Sequence, residues 1–298
     1  MKGLQIRVKD LIRVYKLGNV EVQALRGLNL NVKAGEIVSI IGPSGSGKTT
    51  LLNIVGGLDQ ATAGLVYVGE VPVTSLTASE LIKYRRKTVG HIFQTLNLIP
   101  TLSAAENIEI PMIAIGTSRG SRHKRVEELL KIVGLSERAS HKPDELSGGE
   151  QQRVAIAAAL ANDAPVLLAD EPTGELDTGN ARVVVDFLLL ANRELGKTII
   201  MVTHDPTVAR AADRILKIED GTIEAALTPT QAVESEAVAS YVDQLRTRIE
   251  DLNKKIAQLD EEFRAARING DEYVAQRQSL KQIKAGLEEE INRMGVVT

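Results

Sequence analysis

The sequence predicts an α/β fold: a largely parallel sheet with helices on both faces, followed by a pair of C-terminal helices. Three observations predict it. Apolar runs at 37–41, 166–169 and 198–202 are of strand length and predominantly apolar, which suits strands buried on both faces. Stretches of helical periodicity separate them, which implies parallel pairing. From about residue 233 the pattern changes to a heptad seam.

Taken in order, residues 4–8 and 28–32 alternate apolar and polar side chains and read as short strands. The run at 37–41 opens into a glycine-rich turn, and Thr49 to Val55 begins a helix. Between about 95 and 160 the pattern is helical, as for a helical subdomain inserted into the α/β core. The run Val166 to Ala169 ends in Asp170 and Glu171, and Thr198 to Val202 ends in Thr203, His204 and Asp205. A further run, Arg214 to Ile218, precedes Asp220-Gly221, a dipeptide that closes β-hairpins. Parallel sheets bind ligands beyond the carboxyl ends of their strands, where these polar residues lie.

In the C-terminal segment Val238, Val242, Leu245, Ile249, Leu252, Ile256, Leu259, Phe263 and Ala266 step by fours and threes, an a/d seam. Asn269-Gly270-Asp271 breaks the seam. Tyr273, Leu280, Ile283, Leu287, Ile291 and Met294 then mark a second amphipathic helix. The division read from this is a first domain over 1–228 and an antiparallel coiled-coil hairpin over 233–298.

Composition narrows the function classes. A chain of 298 residues suits about two domains. There is no Trp and there are only three Phe, so the core must be aliphatic. A net charge of -3 gives no strong field toward nucleic acid, and no nucleic-acid partner is expected. The absence of Cys excludes disulfides, thiolate metal sites and cysteine nucleophiles, and fits a reducing compartment. No apolar run approaches the ~18 residues of a membrane span, and Met1 to Asp10 lacks the apolar run of a signal peptide. The expectation is a cytoplasmic protein whose membrane role, if it has one, runs through a separate chain.

Three motifs carry chemistry. The turn is Gly42-Pro43-Ser44-Gly45-Ser46-Gly47-Lys48-Thr49, with Thr50 following. Its glycines let backbone N–H groups close around phosphate oxygens, and the helix N-terminus behind adds partial positive charge. Lys48 can reach the outer phosphates of a nucleotide, and the Thr49 hydroxyl can coordinate Mg²⁺. Second, a strand ending in Asp170-Glu171 can hold Mg²⁺ and place a carboxylate beside an attacking water. Third, Leu146-Ser147-Gly148-Gly149-Glu150-Gln151-Gln152-Arg153 opens a helix, a second anion-binding N-terminus. One nucleotide cannot occupy both helix ends within a single fold. The second therefore suits a phosphate presented by another subunit.

That string resembles the signature motif of ATP-binding-cassette (ABC) proteins. The phosphate-binding loop, Gln94 after Ile92-Phe93, the Asp170-Glu171 strand end, the Leu176-Asp177 turn and His204 resemble the rest of the set, in order, over about residues 3–226. The resemblance implies a P-loop NTPase: a RecA-like core with an antiparallel β subdomain and an inserted helical subdomain, here with the C-terminal α-helical hairpin added. It implies ATP and Mg²⁺ as cofactors and hydrolysis by a head-to-tail, ATP-dependent homodimer. It assigns Tyr15 to adenine stacking, Gln94 to Mg²⁺, water and the sensing of a membrane partner, Asp177 to a loop crossing the dimer, and His204 to the γ-phosphate. Glu171 would be the base, with Lys48 on the phosphates and Thr49 and Asp170 at the metal. Ser147, Gly148 and Gly149 would meet the other copy's nucleotide.

The segment from Phe93 to Asn107 with Pro111, together with Gly56-Gly57-Leu58-Asp59 and Glu171-Pro172-Thr173-Gly174, is similar to the lipoprotein-release, macrolide-export and cell-division branch (MacB/LolD/FtsE-like). The implied partner is an integral-membrane transporter subunit, with this chain peripheral on the inner face of the cell membrane. The sequence departs from the branch at Glu175, where Asn is usual, and at Ala158, where Arg is common. Glu175 adds a negative charge near the dimer seam. A non-transport ABC ATPase of the regulatory, DNA-maintenance or translation kind is the competing reading, motivated by the coiled coil. Against it, chromosome-type members carry their coiled coil between the two phosphate motifs, and translation-type members carry two cassettes. In a third reading the hairpin docks a partner that the ATPase cycle gates.

Overall fold

The computed structural model describes residues 2–18, 20–174, 176–227, 247–263 and 269–293. The chain divides into two compact units, Met1–Thr230 and Gln231–Thr298.

The first unit opens with a long antiparallel hairpin, β1 (Ile6–Leu17) and β2 (Val20–Val32). With β4 (Ala63–Val68) and β5 (Val71–Pro72) these form a four-stranded antiparallel sheet in the order β2-β1-β4-β5. Both opening strands run well past the segments 4–8 and 28–32 that alternation marks. The ladder shifts register between Val8 and Leu11, between Leu11 and Ile12, and between Arg13 and Val14, and Asp10 sits at φ 49°. Each irregularity flips the inside-outside period while leaving the pairing intact, so the strands continue where the alternation stops.

The second sheet has six strands in the order β10-β9-β3-β8-β7-β6. They are β3 (Ile37–Ile41), β6 (Val89–Ile92), β7 (Val166–Asp170), β8 (Thr198–Val202), β9 (Arg214–Glu219) and β10 (Thr222–Leu227). All pair in parallel except β10, which returns antiparallel to β9 through Asp220 and Gly221, both at positive φ. β6 is four residues long and contains Gly90 and His91, too short and too polar to announce itself.

Successive residues of the parallel strands enter opposite cores, as a pleated strand covered on both faces requires. Val38, Ile40, Leu168, Ile200, Val202 and Leu216 join the antiparallel sheet and α1 (Lys48–Val55). Ile37, Leu167, Ala169, Ile199 and Met201 join the helices of the opposite face. Those are α3 (Ala104–Ala114), α4 (Arg119–Ile132), α5 (Gly148–Leu160) and α6 (Thr178–Arg193). The antiparallel sheet, parallel core and inserted helices are the architecture expected from the sequence. Another helix, α2 (Ala78–Lys87), precedes β6. Helices α2, α3 and α5 each begin with a reciprocal capping box, Thr77/Glu80, Ser103/Glu106 and Ser147/Glu150. The last turn before β9 is the short helix α7 (Pro206–Ala209).

In the second unit, α8 (residues 247–263) and α9 (Gly270–Arg293) are helical. α9 starts at Gly270, with Tyr273 N–H donating to the Asn269 carbonyl, so Gly270 and Asp271 form its first turn rather than a break before it. The Phe263 and Tyr273 rings stack at 4.2 Å, and Asp260 accepts from the Tyr273 hydroxyl and from Arg277. Leu252 and Leu259 of the heptad seam are buried. The seam residues Val238, Val242, Leu245 and Ala266, and Met294, lie outside the described residues, as does Glu175.

His91 links the cores to the loop that follows β6. Its ring stacks on Phe93 at 5.3 Å and its Nε2 lies 3.4 Å from the Gly56 carbonyl. Burial pushes its pKa down to about 4, with Arg85 acting the same way and the Gly56 carbonyl opposing. The unfolded chain takes up this proton near pH 6.5, and the folded protein refuses it until about pH 4. The folded state is therefore fully stable with respect to this group above about 6.5 and loses stability as pH falls through that window. Urea titrations of His91→Gln and the parent protein at about pH 7 and pH 4.5 test this. The acid-induced loss should be smaller in the variant by roughly 2–3 kcal/mol. Equal acid sensitivity in both would remove His91 as the source.

Candidate functional site

The site begins where β3 ends. Residues 42–47 turn back over the sheet before α1 starts at Lys48. Gly47 sits at φ 100°, and a Cβ there would run into the Ala24 carbonyl of β2, so only glycine fits. Ser46 is buried, and its carbonyl accepts from Gly221 N–H at 3.1 Å while Gly221 in turn accepts from Arg26 N–H at 3.0 Å. The loop is thus fixed by both sheets at once. Lys48 folds back over it, its Nζ donating to the Gly42 and Pro43 carbonyls at 2.8 Å each.

Opposite the loop, Asp170 closes β7, and its carboxylate accepts from the Thr49 hydroxyl at 3.2 Å. Burial raises the Asp170 pKa, as does neighbouring Glu171, while the Thr49 bond and Lys48 oppose the shift. Burial likewise lowers Lys48, against the pull of Glu171 and Asp170. Desolvation therefore works against each charge, and their proximity to each other supports it. Glu171 stands at φ 46°, a left-handed backbone unusual for a side chain of its kind. Its N–H donates to the Val202 carbonyl at 2.9 Å, which ties it to the end of β8. Its Oε2 accepts from the His204 backbone N–H at 3.2 Å and lies 2.9 Å from His204 Nδ1. Glu171 is largely buried and the imidazole is mostly exposed.

A cleft of about 400 Å³ opens between these groups, within the usual range for ligand sites. It is lined by Gly42, Ser44, Gly45, Gly47, Lys48, Thr49, Thr50, Gln94, Glu171 and His204. Ala24 and Val202 also line it, two residues with no chemical signal in the sequence because they contribute backbone and packing. Pro43 and Ser46 belong to the loop but not to the lining. Asp170 reaches the cleft through Thr49. A cleft ringed by loop N–H groups, an ammonium and a helix N-terminus suits a polyphosphate.

The other sequence-derived residues lie elsewhere. Ser147 is the exposed N-cap of α5, its Oγ accepting from Glu150 N–H at 3.3 Å. Gly148 is exposed, and a small crevice of about 50 Å³ lies between it, Gln94, Gln152 and Glu171. Gly149 is buried against α6, where a Cβ would collide with Asn180. Asp177 is exposed and caps α6 through Gly179 and Asn180 N–H. Tyr15 is outside the cleft lining. Its hydroxyl donates to Asp59 at 2.7 Å, and the Arg13 guanidinium lies 4.4 Å above its ring. Sequence reasoning assigned no role to Asp59 or Arg13, whose meaning depends on two chain segments meeting.

Residues 25–174 match the ABC transporter family. An uncharacterized ABC transporter ATP-binding protein of Methanocaldococcus jannaschii, MJ0796, is 50% identical over 223 residues, covering 74% of this chain and 95% of that protein. The macrolide export ATP-binding/permease protein MacB of Hyphomonas neptunium is 46% identical over 232 residues, which is 78% of this chain but 36% of that longer protein. The solved dimeric structure of MJ0796 in a post-hydrolysis state, bound to ADP and Pi, superposes with a TM-score of 0.71 at 46% identity, covering 75% of this chain and 98% of that one. With its loop, strand-end carboxylates and second helix N-terminus in this arrangement, the chain belongs to the ABC transporter family as an ATP-binding subunit.

Proposed function

We propose that the chain hydrolyses ATP as a head-to-tail homodimer and thereby drives a membrane partner of the lipoprotein-release or macrolide-export kind. The observation that carries this is the separation of two phosphate-binding helix ends. The α1 terminus lines the cleft with Lys48, Thr49, Gln94, Glu171 and His204. The α5 terminus, with exposed Ser147 and Gly148, faces outward on the same chain. A second copy would bring its Ser147, Gly148 and Gly149 to the γ-phosphate held on this chain's loop, with Asp177 at the seam. The dimeric MJ0796 cassette supports the pairing.

In this reading the loop N–H groups and Lys48 bind the phosphates, Lys48 exchanging its two carbonyl partners for phosphate oxygens. Tyr15 stacks on the adenine. Glu171 takes the proton of the attacking water, and its bond to His204 aims both side chains at the γ-phosphate. Among the described residues no group of three His, Cys, Asp or Glu could hold a metal. That fits Mg²⁺, which is commonly bound through one or two carboxylates together with substrate phosphates. Thr49, Gln94 and Asp170 would hold the ion, which would draw charge from the phosphate oxygens.

No helix among the described residues is long and apolar enough to cross a membrane. The docking place proposed for the membrane partner is a groove of about 320 Å³ beside Gln94, lined by Arg85, Phe93, Leu96, Ile99, Ile110 and Pro111. Ile99 and Ile110 are exposed large aliphatics there, and Ala158, at the position where the branch commonly has Arg, widens the groove. The MacB relatives, named as ATP-binding and permease parts of one protein, support this pairing with a membrane subunit.

Sizing of Glu171→Gln with and without MgATP tests the mechanism. It should be a monomer that dimerises only with ATP, with turnover reduced about 100-fold or more. Normal turnover would sink the role of Glu171. A dimer in both conditions would move the subunit contact to another surface, the C-terminal helices included. Gly149→Ala should bind a fluorescent ATP analogue like the parent yet lose turnover by about 100-fold, because the added methyl meets Asn180 and displaces the donor end of α5. Parent-like turnover would place the shared phosphate contact elsewhere.

A further inference from the structure

Asp59 accepts four donors on one carboxylate. Oδ1 takes Arg13 Nη2 and Gln60 N–H, both at 2.7 Å, and Oδ2 takes Arg13 Nε at 3.1 Å and the Tyr15 hydroxyl at 2.7 Å. The Arg13–Asp59 pair is about one-fifth exposed on each side. Arg13 also lies over the Tyr15 ring at 4.4 Å, so it touches the ring face and the ring's hydroxyl partner together. The segments joined are distant in sequence: Arg13 and Tyr15 belong to β1, and Asp59 follows the loop after α1.

The position of this cluster matters. Beyond Tyr15 the β1–β2 hairpin is thinly held, and Val20 and Val22, the latter paired with Tyr15, are 61% and 44% exposed. A ring on such a ribbon would sample several orientations. Asp59 removes that freedom by fixing the hydroxyl, and Arg13 removes it by backing one face. A guanidinium behind the ring is compatible with a base stacked on its other face. The same loop that carries Asp59 is continuous with α1, whose N-terminus lines the cleft. Asp59 therefore ties the ring to the phosphate-binding helix through a single short segment.

We propose that Asp59, with Arg13, is a positioning residue for the nucleobase: it holds the Tyr15 ring in the orientation that stacks on adenine and sets the distance between base site and phosphate site. The proposal rests on the reading of Tyr15 as the adenine platform. Ordering the ring before the ligand arrives removes an entropic cost from binding, so the effect belongs to affinity rather than to the chemical step.

The test is a set of substitutions read by ATP hydrolysis and by inhibition with inorganic tripolyphosphate, which engages the phosphate loop without a base. Tyr15→Ala should raise KM for ATP roughly ten-fold or more, as loss of a stacked base does. Asp59→Ala should raise it about ten-fold, Asp59→Asn and Tyr15→Phe by smaller factors, with the loss falling on KM rather than kcat. Tripolyphosphate inhibition should be unchanged in all four. Asp59→Ala should add little in a Tyr15→Ala background, because residues acting as one unit are non-additive. If Tyr15→Ala raises KM but Asp59→Ala does not, or adds its full factor to it, the positioning role is overturned while the platform stands. Weakened tripolyphosphate inhibition in Asp59→Ala would show a structural role instead, and Asp59→Asn, which keeps the side-chain shape and one of the two acceptor oxygens, makes that distinction should the alanine variant misfold. A Tyr15→Ala variant with parent-like KM overturns the platform reading and the proposal with it.

Discussion

Gly47 lies so close to the Ala24 carbonyl that no side chain fits between them, and Ser46 meets the turn of the β9–β10 hairpin through Gly221. These backbone contacts pin residues 42–47 between the antiparallel sheet and the parallel sheet. The cleft depends on them. Lys48, Thr49 and Thr50 point into it because α1 starts where the pinned loop ends. Were the loop free to move, its N–H groups would have no fixed target, and the orientation of preformed dipoles is what makes such a site bind anions.

The carboxylates are held by a different logic. Asp170 and Glu171 sit side by side in a partly dehydrated place, where burial and the neighbouring Glu171 both resist charge on Asp170. Three groups moderate that conflict: the Thr49 hydroxyl, the Lys48 ammonium, and His204 on the far side of Glu171. The arrangement leaves positive charge in demand on the loop side of the cleft. Two helix N-termini on one chain, one inward and one outward, are the two halves that the proposed dimer would join into one site.

The parallel sheet was legible because β3, β7 and β8 in its centre are predominantly apolar runs, and 37–41 and 198–202 match β3 and β8 residue for residue. The antiparallel hairpin was only half legible. Three register irregularities along β1 break the two-residue period on which the reading depends. The strand β6 was invisible because Gly90 and His91 owe their places to the neighbours around them, Gly90 to the Ala159 carbonyl and His91 to Gly56. Within the cleft, the residues with distinctive chemistry were found by motif. Ala24 escaped because its contribution is a carbonyl oxygen, which every residue has. The Asp59 cluster escaped because a salt bridge between positions 13 and 59 leaves no local pattern.

Glu171 carries its carboxylate on a left-handed backbone, at a φ where glycine or asparagine would sit more comfortably. That conformation costs on the order of 1 kcal/mol, tolerated by the surrounding sheet. Selection for thermal stability alone would therefore push this position toward glycine, the one residue that relieves the backbone and abolishes the carboxylate in the same step. A sequence optimised by stability, whether by laboratory evolution or by design, would tend to drift away from glutamate here. With Glu171 as the base proposed above, a library screened for survival of heating would need a simultaneous demand for turnover, or its most stable members would be its least active.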